Sequence, residues 1–139
     1  EYLKYSSQGL LYSTALPPAL IAGTQKALEI VDKEGARLVQ KLLDNKRYLW
    51  ERLDKHGFQV LKGEASICSL LAGSTEKTLR IYQALFDARI LTTPFIYPSV
   101  AKNKGVIRMI PRIDLAESHL DHLIQILLDT RENLPELFA

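Results

Sequence analysis

Ile67-Cys68-Ser69-Leu70-Leu71-Ala72 is a short, mostly apolar run bounded by Gly63 and Gly73. A run of this length suits a buried β-strand better than a helix. The segment Val106-Ile107-Arg108-Met109-Ile110 has the same character, and residues 90–93 form a third strand candidate before a loop with prolines. The second half of the chain is therefore predicted to contain a small sheet.

Helical spacing dominates the first half of the chain. Pro17-Pro18 suits the first turn of a helix, where a missing N–H costs nothing. A second helical pattern follows Gly35 and is expected to end after His56, because Gly57 is placed to stop it. The predicted apolar positions are Leu20, Ile21, Ala27, Leu28 and Val31 in the first helix, and Leu38, Leu42, Leu49 and Leu53 in the second.

Two further helices are predicted in the second half. One runs from Thr75 to Ala88 with Ser74 or Thr75 as its N-cap, and the other follows an Asp114-x-x-Glu117 capping pattern. The predicted core positions are Leu79, Tyr82, Leu85 and Phe86 in the former, and Leu120, Leu123, Ile124 and Leu127 in the latter. With residues 10–14 as an extended lead-in, the order α-α-β-α-β-β-α predicts an α+β fold, in which helices pack on a small antiparallel sheet.

Composition excludes several classes of function. The chain has 139 residues, 47% of them hydrophobic, and a formal net charge of only +2 that is spread along the sequence. Nucleic-acid binding is unsupported by this pattern. No apolar run approaches the roughly 20 residues of a membrane span, and no signal peptide is evident, so a cytoplasmic protein is expected. The chain begins with Glu1 rather than Met, which suggests a piece of a longer protein.

Few side chains are candidates for a catalytic or metal-binding role. Cys68 is the single cysteine and is expected to be a buried thiol. His119 and His122 are spaced to share a helix face, but they fall on its polar side and no metal site is predicted. Glycine-rich phosphate loops and nucleophile elbows do not occur in the sequence, and no catalytic residue is assigned.

Arg108 stands out because the rest of its predicted strand is apolar. A guanidinium in that position loses water and needs an anionic partner. Arginine holds carboxylates through two parallel hydrogen bonds, so a bound ligand is one interpretation. An internal salt bridge, or a strand edge that reaches water, is the more ordinary interpretation of such a residue.

Ser13 and Thr14 precede the Pro17-Pro18 helix start. Hydroxyls near a helix N-terminus can bind a phosphate together with free N–H groups. The same residues also cap turns and helices routinely. The local pattern leaves both interpretations open.

Three segments resemble the α-oxoamine synthases, which use pyridoxal phosphate. Residues 11–19, Leu-Tyr-Ser-Thr-Ala-Leu-Pro-Pro-Ala, resemble the family's "F-S-T-x-L-P-P-A". Residues 84–90 resemble "L-x-x-x-G-I", and residues 105–108 resemble "G-x-x-R-I-R" with Val106 in place of its first arginine. The segments occur in the family's order and span nearly the whole chain.

The resemblance implies the C-terminal small domain of a fold-type I pyridoxal-phosphate enzyme. Residues 1–34 would be an interdomain segment and long helix, and residues 35–139 the small domain. Arg108 would bind the α-carboxylate of the amino-acid substrate. Ser13 would contact the cofactor phosphate across a homodimer interface, with Tyr12 and Thr14 beside it.

The resemblance also implies an activity, the condensation of an amino acid with an acyl-CoA with loss of carbon dioxide, in an enzyme of the biotin-pathway type. No lysine lies in the "S-K-x-x-G" context that holds the cofactor in the family. The cofactor lysine would therefore belong to an N-terminal domain that is missing here, and the chain alone is expected to be inactive. A pyridoxal-phosphate aminotransferase would use the same Arg108 without a CoA site. A non-enzymatic folded module is the third alternative.

Overall fold

The computed structural model describes residues 1–138, which form two compact units that divide between Arg37 and Leu38. The first unit contains α1 (Tyr2–Ser6), α2 (Gln8–Leu11) and the first part of α3 (Pro18–Lys55). All of residues 1–34 are exposed within this structure. Among the described helices, none combines the length and the apolar character that a membrane crossing needs.

The expected break at Gly35 is wrong, because α3 is continuous through it. A glycine inside a helix costs only about 1 kcal/mol relative to alanine, which good helix formers on either side can offset. The predicted end is confirmed: Gly57 adopts a φ of 76°, and Phe58 N–H donates to Leu53 O at 3.0 Å. These features close the helix after Lys55.

The extended lead-in predicted at residues 10–14 is also wrong in its first part, because α2 ends only at Leu11. The backbone N–H groups of Leu10 and Leu11 both donate to Ser7 O, at 3.0 and 2.9 Å. The segment therefore satisfies its hydrogen bonds locally, as a helical turn does.

The second unit is built on an antiparallel sheet of four strands. These are β1 (Val60–Leu61), β2 (Cys68–Gly73), β3 (Thr93–Phe95) and β4 (Gly105–Met109), in the spatial order β1-β2-β4-β3. Strands β2 and β4 lie at the centre and match the two predicted apolar runs closely. The α+β fold, with helices on a small antiparallel sheet, is confirmed.

Strand β3 begins where the predicted strand was expected to end. Arg89 has a φ of 63°, and the Ile90 N–H donates to Leu85 O at 2.9 Å. Residues directly after the preceding helix are therefore used to close that helix. Pro94 is tolerated inside β3 because this strand lies at the sheet edge, where a missing N–H need not break a ladder.

Helix α4 (Thr75–Asp87) begins as predicted, with the Ser74 hydroxyl accepting from Lys77 N–H at 3.2 Å. Its buried face differs from the prediction by about one residue. Thr78, Ile81 and Leu85 are buried, whereas Leu79 and Phe86 are 42% and 47% exposed. Thr78 is accommodated because its hydroxyl donates to Ser74 O at 2.7 Å.

Helix α5 (Glu117–Asn133) buries the four leucine and isoleucine positions predicted for it. The predicted Asp114 cap is wrong, because the N-cap is Ala116, whose N–H donates to His119 Nδ1 at 3.0 Å. Asp114 instead accepts from Arg112 Nε at 2.9 Å. That arginine holds the pKa of the Asp114 carboxyl below its ordinary value.

The hydrophobic core lies on one face of the sheet. Ile107 and Met109 of β4 are 0% and 2% exposed, and they pack with Leu70, Leu85 and residues of α3 and α5. A short 3-10 helix, Pro135–Leu137, adds Leu137 to this core. The opposite face of the sheet is less covered, and it carries Arg108.

Candidate functional site

Arg108 lies on β4, one of the two central strands of the sheet. Side chains of a strand alternate between faces, and Ile107 and Met109 on either side of Arg108 point into the core. Arg108 is only partly buried and points the other way. Its Cα partners are Ser69 on β2 and Thr93 on β3. The three residues therefore form a row across the open face of the sheet.

The Arg108 guanidinium is stacked on an aromatic ring. Its central carbon lies 4.7 Å from the centroid of the Phe95 ring. Phe95 pairs with Val106 across the strands, so it is the diagonal neighbour of Arg108 on the same face. This stacking holds the guanidinium over the sheet and provides a cation–π contact.

Arg108 has no carboxylate partner within residues 1–138. Its Nε atom is buried without a hydrogen-bond partner, and no ion pair involves the side chain in this part of the chain. An internal salt bridge, one of the two alternatives for a lone arginine in an apolar strand, is therefore not observed there. The positive charge of Arg108 is therefore not neutralised by any side chain of residues 1–138.

The geometry favours one mode of anion binding. Nε is shielded from solvent, so an incoming anion meets the two terminal nitrogens of the Arg108 guanidinium. Two parallel N–H donors match the two oxygens of a carboxylate. The arrangement is therefore compatible with a carboxylate ligand.

A buried amide anchors the chain just beyond β4. Asn45 of α3 is 3% exposed, and its Nδ2 donates to Arg112 O at 2.7 Å and to Leu115 O at 3.4 Å. Both carbonyls lie in the connection from β4 to α5. The strand that carries Arg108 is thus tied to α3 by hydrogen bonds as well as by the core.

The residues predicted to bind a phosphate lie in the first unit. Tyr12, Ser13 and Thr14 follow α2 and precede α3, and all three are exposed. The Ser13 hydroxyl donates to Leu10 O at 3.0 Å. The Thr14 hydroxyl has no hydrogen bond to any of residues 1–138. Their role toward a phosphate stays a prediction.

Other side chains in the described part of the chain are weaker candidates for a catalytic or metal-binding role. Cys68 is fully buried, and this burial raises the pKa of its thiol from the ordinary 9.0 to about 11. Residues 1–138 contain no group of three or more metal-ligating side chains. A cleft of about 410 Å³ lies beside β2 and the start of α4, and Arg108 does not line it.

Sequence reasoning missed Phe95, Asn45, Ser69 and Thr93 as neighbours of the site or of its strand. The sequence offered one signal for Ser69, which is a polar residue within an apolar strand. The pairing that places Ser69 and Thr93 beside Arg108 joins segments distant in sequence. Local patterns carry no information on that register.

An antiparallel sheet covered by helices on one face, with an arginine on the other that has no ion pair within residues 1–138, defines the class as an α+β domain. A family model for aminotransferase class I and II matches residues 1–127. The chain therefore belongs to the aminotransferase class I and II family. The resemblance to the α-oxoamine synthases is confirmed by the relatives that it matches.

One such relative is the 8-amino-7-oxononanoate synthase of Thermoanaerobacter pseudethanolicus, which is 35% identical over 121 residues, covering 87% of this chain and 30% of that protein. A solved 8-amino-7-oxononanoate synthase from Francisella tularensis is 25% identical, with a TM-score of 0.68 over 99% of this chain and 39% of that one.

A serine palmitoyltransferase from S. paucimobilis, solved with a bound PLP–myriocin aldimine, has a TM-score of 0.83 at 14% identity, over 95% of this chain and 33% of that one. At this identity the likeness shows the fold alone. The chain spans about a third of the length of the curated relatives that it matches.

Proposed function

We propose that the chain is the C-terminal small domain of a pyridoxal-phosphate-dependent acyltransferase, which condenses an amino acid with an acyl-CoA and releases carbon dioxide. The observation that carries the proposal is Arg108, stacked on Phe95 on the open face of the sheet and without a carboxylate partner in residues 1–138. Arg108 binds the α-carboxylate of the amino acid. This contact orients the Cα bonds for reaction, as fixed positioning does in enzymes generally.

The proposal includes a cofactor, for which the residues of the first unit are suitable. Tyr12, Ser13 and Thr14 offer exposed hydroxyls, and hydroxyl donors suit a phosphate group. These residues would hold the phosphate of pyridoxal phosphate across a homodimer interface. The cofactor supplies an electron sink for bond cleavage at Cα of the amino acid. Its lysine would come from an N-terminal domain that this sequence does not include, so this chain alone would be inactive.

Related 8-amino-7-oxononanoate synthases favour an acyltransferase over an aminotransferase. The two activities differ in their products. We expect the full-length protein to release free CoA from at least one of a panel of acyl-CoA thioesters when L-alanine is present. Amino-group transfer to a 2-oxo acid without release of CoA would instead identify an aminotransferase.

The carboxylate assignment is tested in the full-length protein by Arg108→Gln. Loss of two charge-assisted hydrogen bonds is expected to raise the Kd for L-alanine about 100-fold, measured by absorbance titration of the cofactor, while cofactor binding stays unchanged. Arg112→Gln is the matched control, because its side chain is 73% exposed and pairs with Asp114. An Arg108→Gln variant with wild-type affinity for L-alanine would refute the assignment.

A further inference from the structure

Two hydroxyl side chains flank Arg108 on the open face of the sheet. Ser69 and Thr93 are its direct Cα partners on the two neighbouring strands. Side chains at directly paired positions share a face and have Cβ atoms roughly 5 Å apart. Arg108 therefore lies between two hydroxyls, one from each side.

Both hydroxyls are available to a ligand. Within residues 1–138, neither the Ser69 nor the Thr93 hydroxyl has a hydrogen-bond partner. Ser69 is partly buried, in a strand whose inward residues Cys68 and Leu70 belong to the core. A serine at a half-covered position with no partner for its hydroxyl is one that a bound polar group would satisfy.

The guanidinium is held over the face of the sheet that carries these hydroxyls. Because it is stacked on Phe95, it lies over the sheet instead of extending away from it. A carboxylate held by the two terminal nitrogens of Arg108 still has lone pairs directed away from the guanidinium. When such a site closes and excludes water, each unpaired oxygen lone pair weakens binding.

We propose that Ser69 and Thr93 donate hydrogen bonds to the carboxylate that Arg108 binds, and that they are specificity-determining residues for α-amino acids with a free carboxylate. This inference rests on the proposed function, because it assigns further contacts to the same substrate group. In this arrangement the substrate carboxylate accepts hydrogen bonds from one cationic side chain, that of Arg108, and from two neutral hydroxyls.

The test uses the full-length protein with pyridoxal phosphate and two probes, L-alanine and L-alaninamide, which lacks the carboxylate. Ser69→Ala and Thr93→Val are each expected to raise the Kd for L-alanine about tenfold, as the loss of one hydrogen bond to a charged group does. The Kd for L-alaninamide should change less than about twofold. Thr93→Ser keeps a hydroxyl and should retain wild-type affinity.

Ser118→Ala is the matched control, since Ser118 is exposed on α5. Circular dichroism and urea unfolding of every variant separate a binding defect from a folding defect. If Ser69→Ala and Thr93→Val bind L-alanine as the wild type does while Arg108→Gln does not, the inference is wrong and the proposed function stands. If Arg108→Gln also binds normally, the proposed function is wrong and this inference with it.

Discussion

The guanidinium carbon of Arg108 lies 4.7 Å from the centre of the Phe95 ring, so the cation is stacked on a residue of the adjacent strand. Within residues 1–138, Arg108 has this ring contact but no carboxylate partner. An aromatic face attracts a cation without neutralising it. Arg108 is thus held in place while its charge remains available to an anion.

Replacing Phe95 tests whether this stacking prepares Arg108 for its ligand. Phe95→Leu removes a cation–π contact of about 0.5–1 kcal/mol and should raise the Kd for L-alanine about threefold in the full-length protein. Phe95→Tyr keeps the ring and should keep the affinity. Absorbance titration measures both variants, and an unchanged affinity in Phe95→Leu would show that the ring does not position the arginine.

Gly105 begins the strand that carries Arg108 and is expected to tolerate no side chain. A Cβ at this position would overlap Thr78 Oγ1 and would lie 2.9 Å from Gly73 O. Gly105→Ala should lower the free energy of unfolding by about 3 kcal/mol, measured by urea unfolding with the fluorescence of Trp50. Gly63→Ala is the control, because nothing lies within 4 Å of its Cβ. Equal unfolding midpoints for the two variants would contradict this account of the close approach.

Asn45 is predicted to be a stability determinant of the connection after β4. Asn45→Ala leaves two carbonyls without their buried donor and should cost about 2 kcal/mol of unfolding free energy. Asn133→Ala removes an exposed amide that donates to Asp129 O at 2.9 Å, and it should cost less than about 0.5 kcal/mol. Urea denaturation compares the two. A loss for Asn45→Ala no larger than that for Asn133→Ala would argue against the anchoring role.

Burial of Cys68 predicts a dependence of stability on pH. Because burial raises the pKa of this thiol from 9.0 to about 11, ionisation of the unfolded chain sets in first as the pH rises. The stabilising contribution is complete below pH 9 and is lost between pH 9 and 11. Urea midpoints across this range should fall more steeply for the wild type than for Cys68→Val. Parallel pH profiles for the two proteins would show that Cys68 ionisation does not cause the loss of stability.

Much of the fold was predictable because local patterns determine it. The apolar runs around Leu70 and Ile107 were short enough to be strands, and both became the central strands of the sheet. Gly57 ended α3 because it readily adopts a positive φ. The buried face of α5 followed directly from its spacing.

Other elements depended on contacts that the local pattern does not contain. Helix α3 continued through Gly35, and the buried face of α4 centred on Ile81 rather than on Leu79. Periodicity defines such a face only to within about one residue. Packing against the sheet decided between adjacent alternatives, and it placed Thr78 where its hydroxyl could bond within the helix.

The sequence by itself determined that Arg108 would sit in an apolar strand and face away from Ile107, because strand alternation is a local property. Only the tertiary structure decided that Phe95 stacks on it, that Ser69 and Thr93 flank it, and that no carboxylate within residues 1–138 pairs with it. These relationships depend on the register between strands that are distant in sequence. That register is set by the packing of the whole domain.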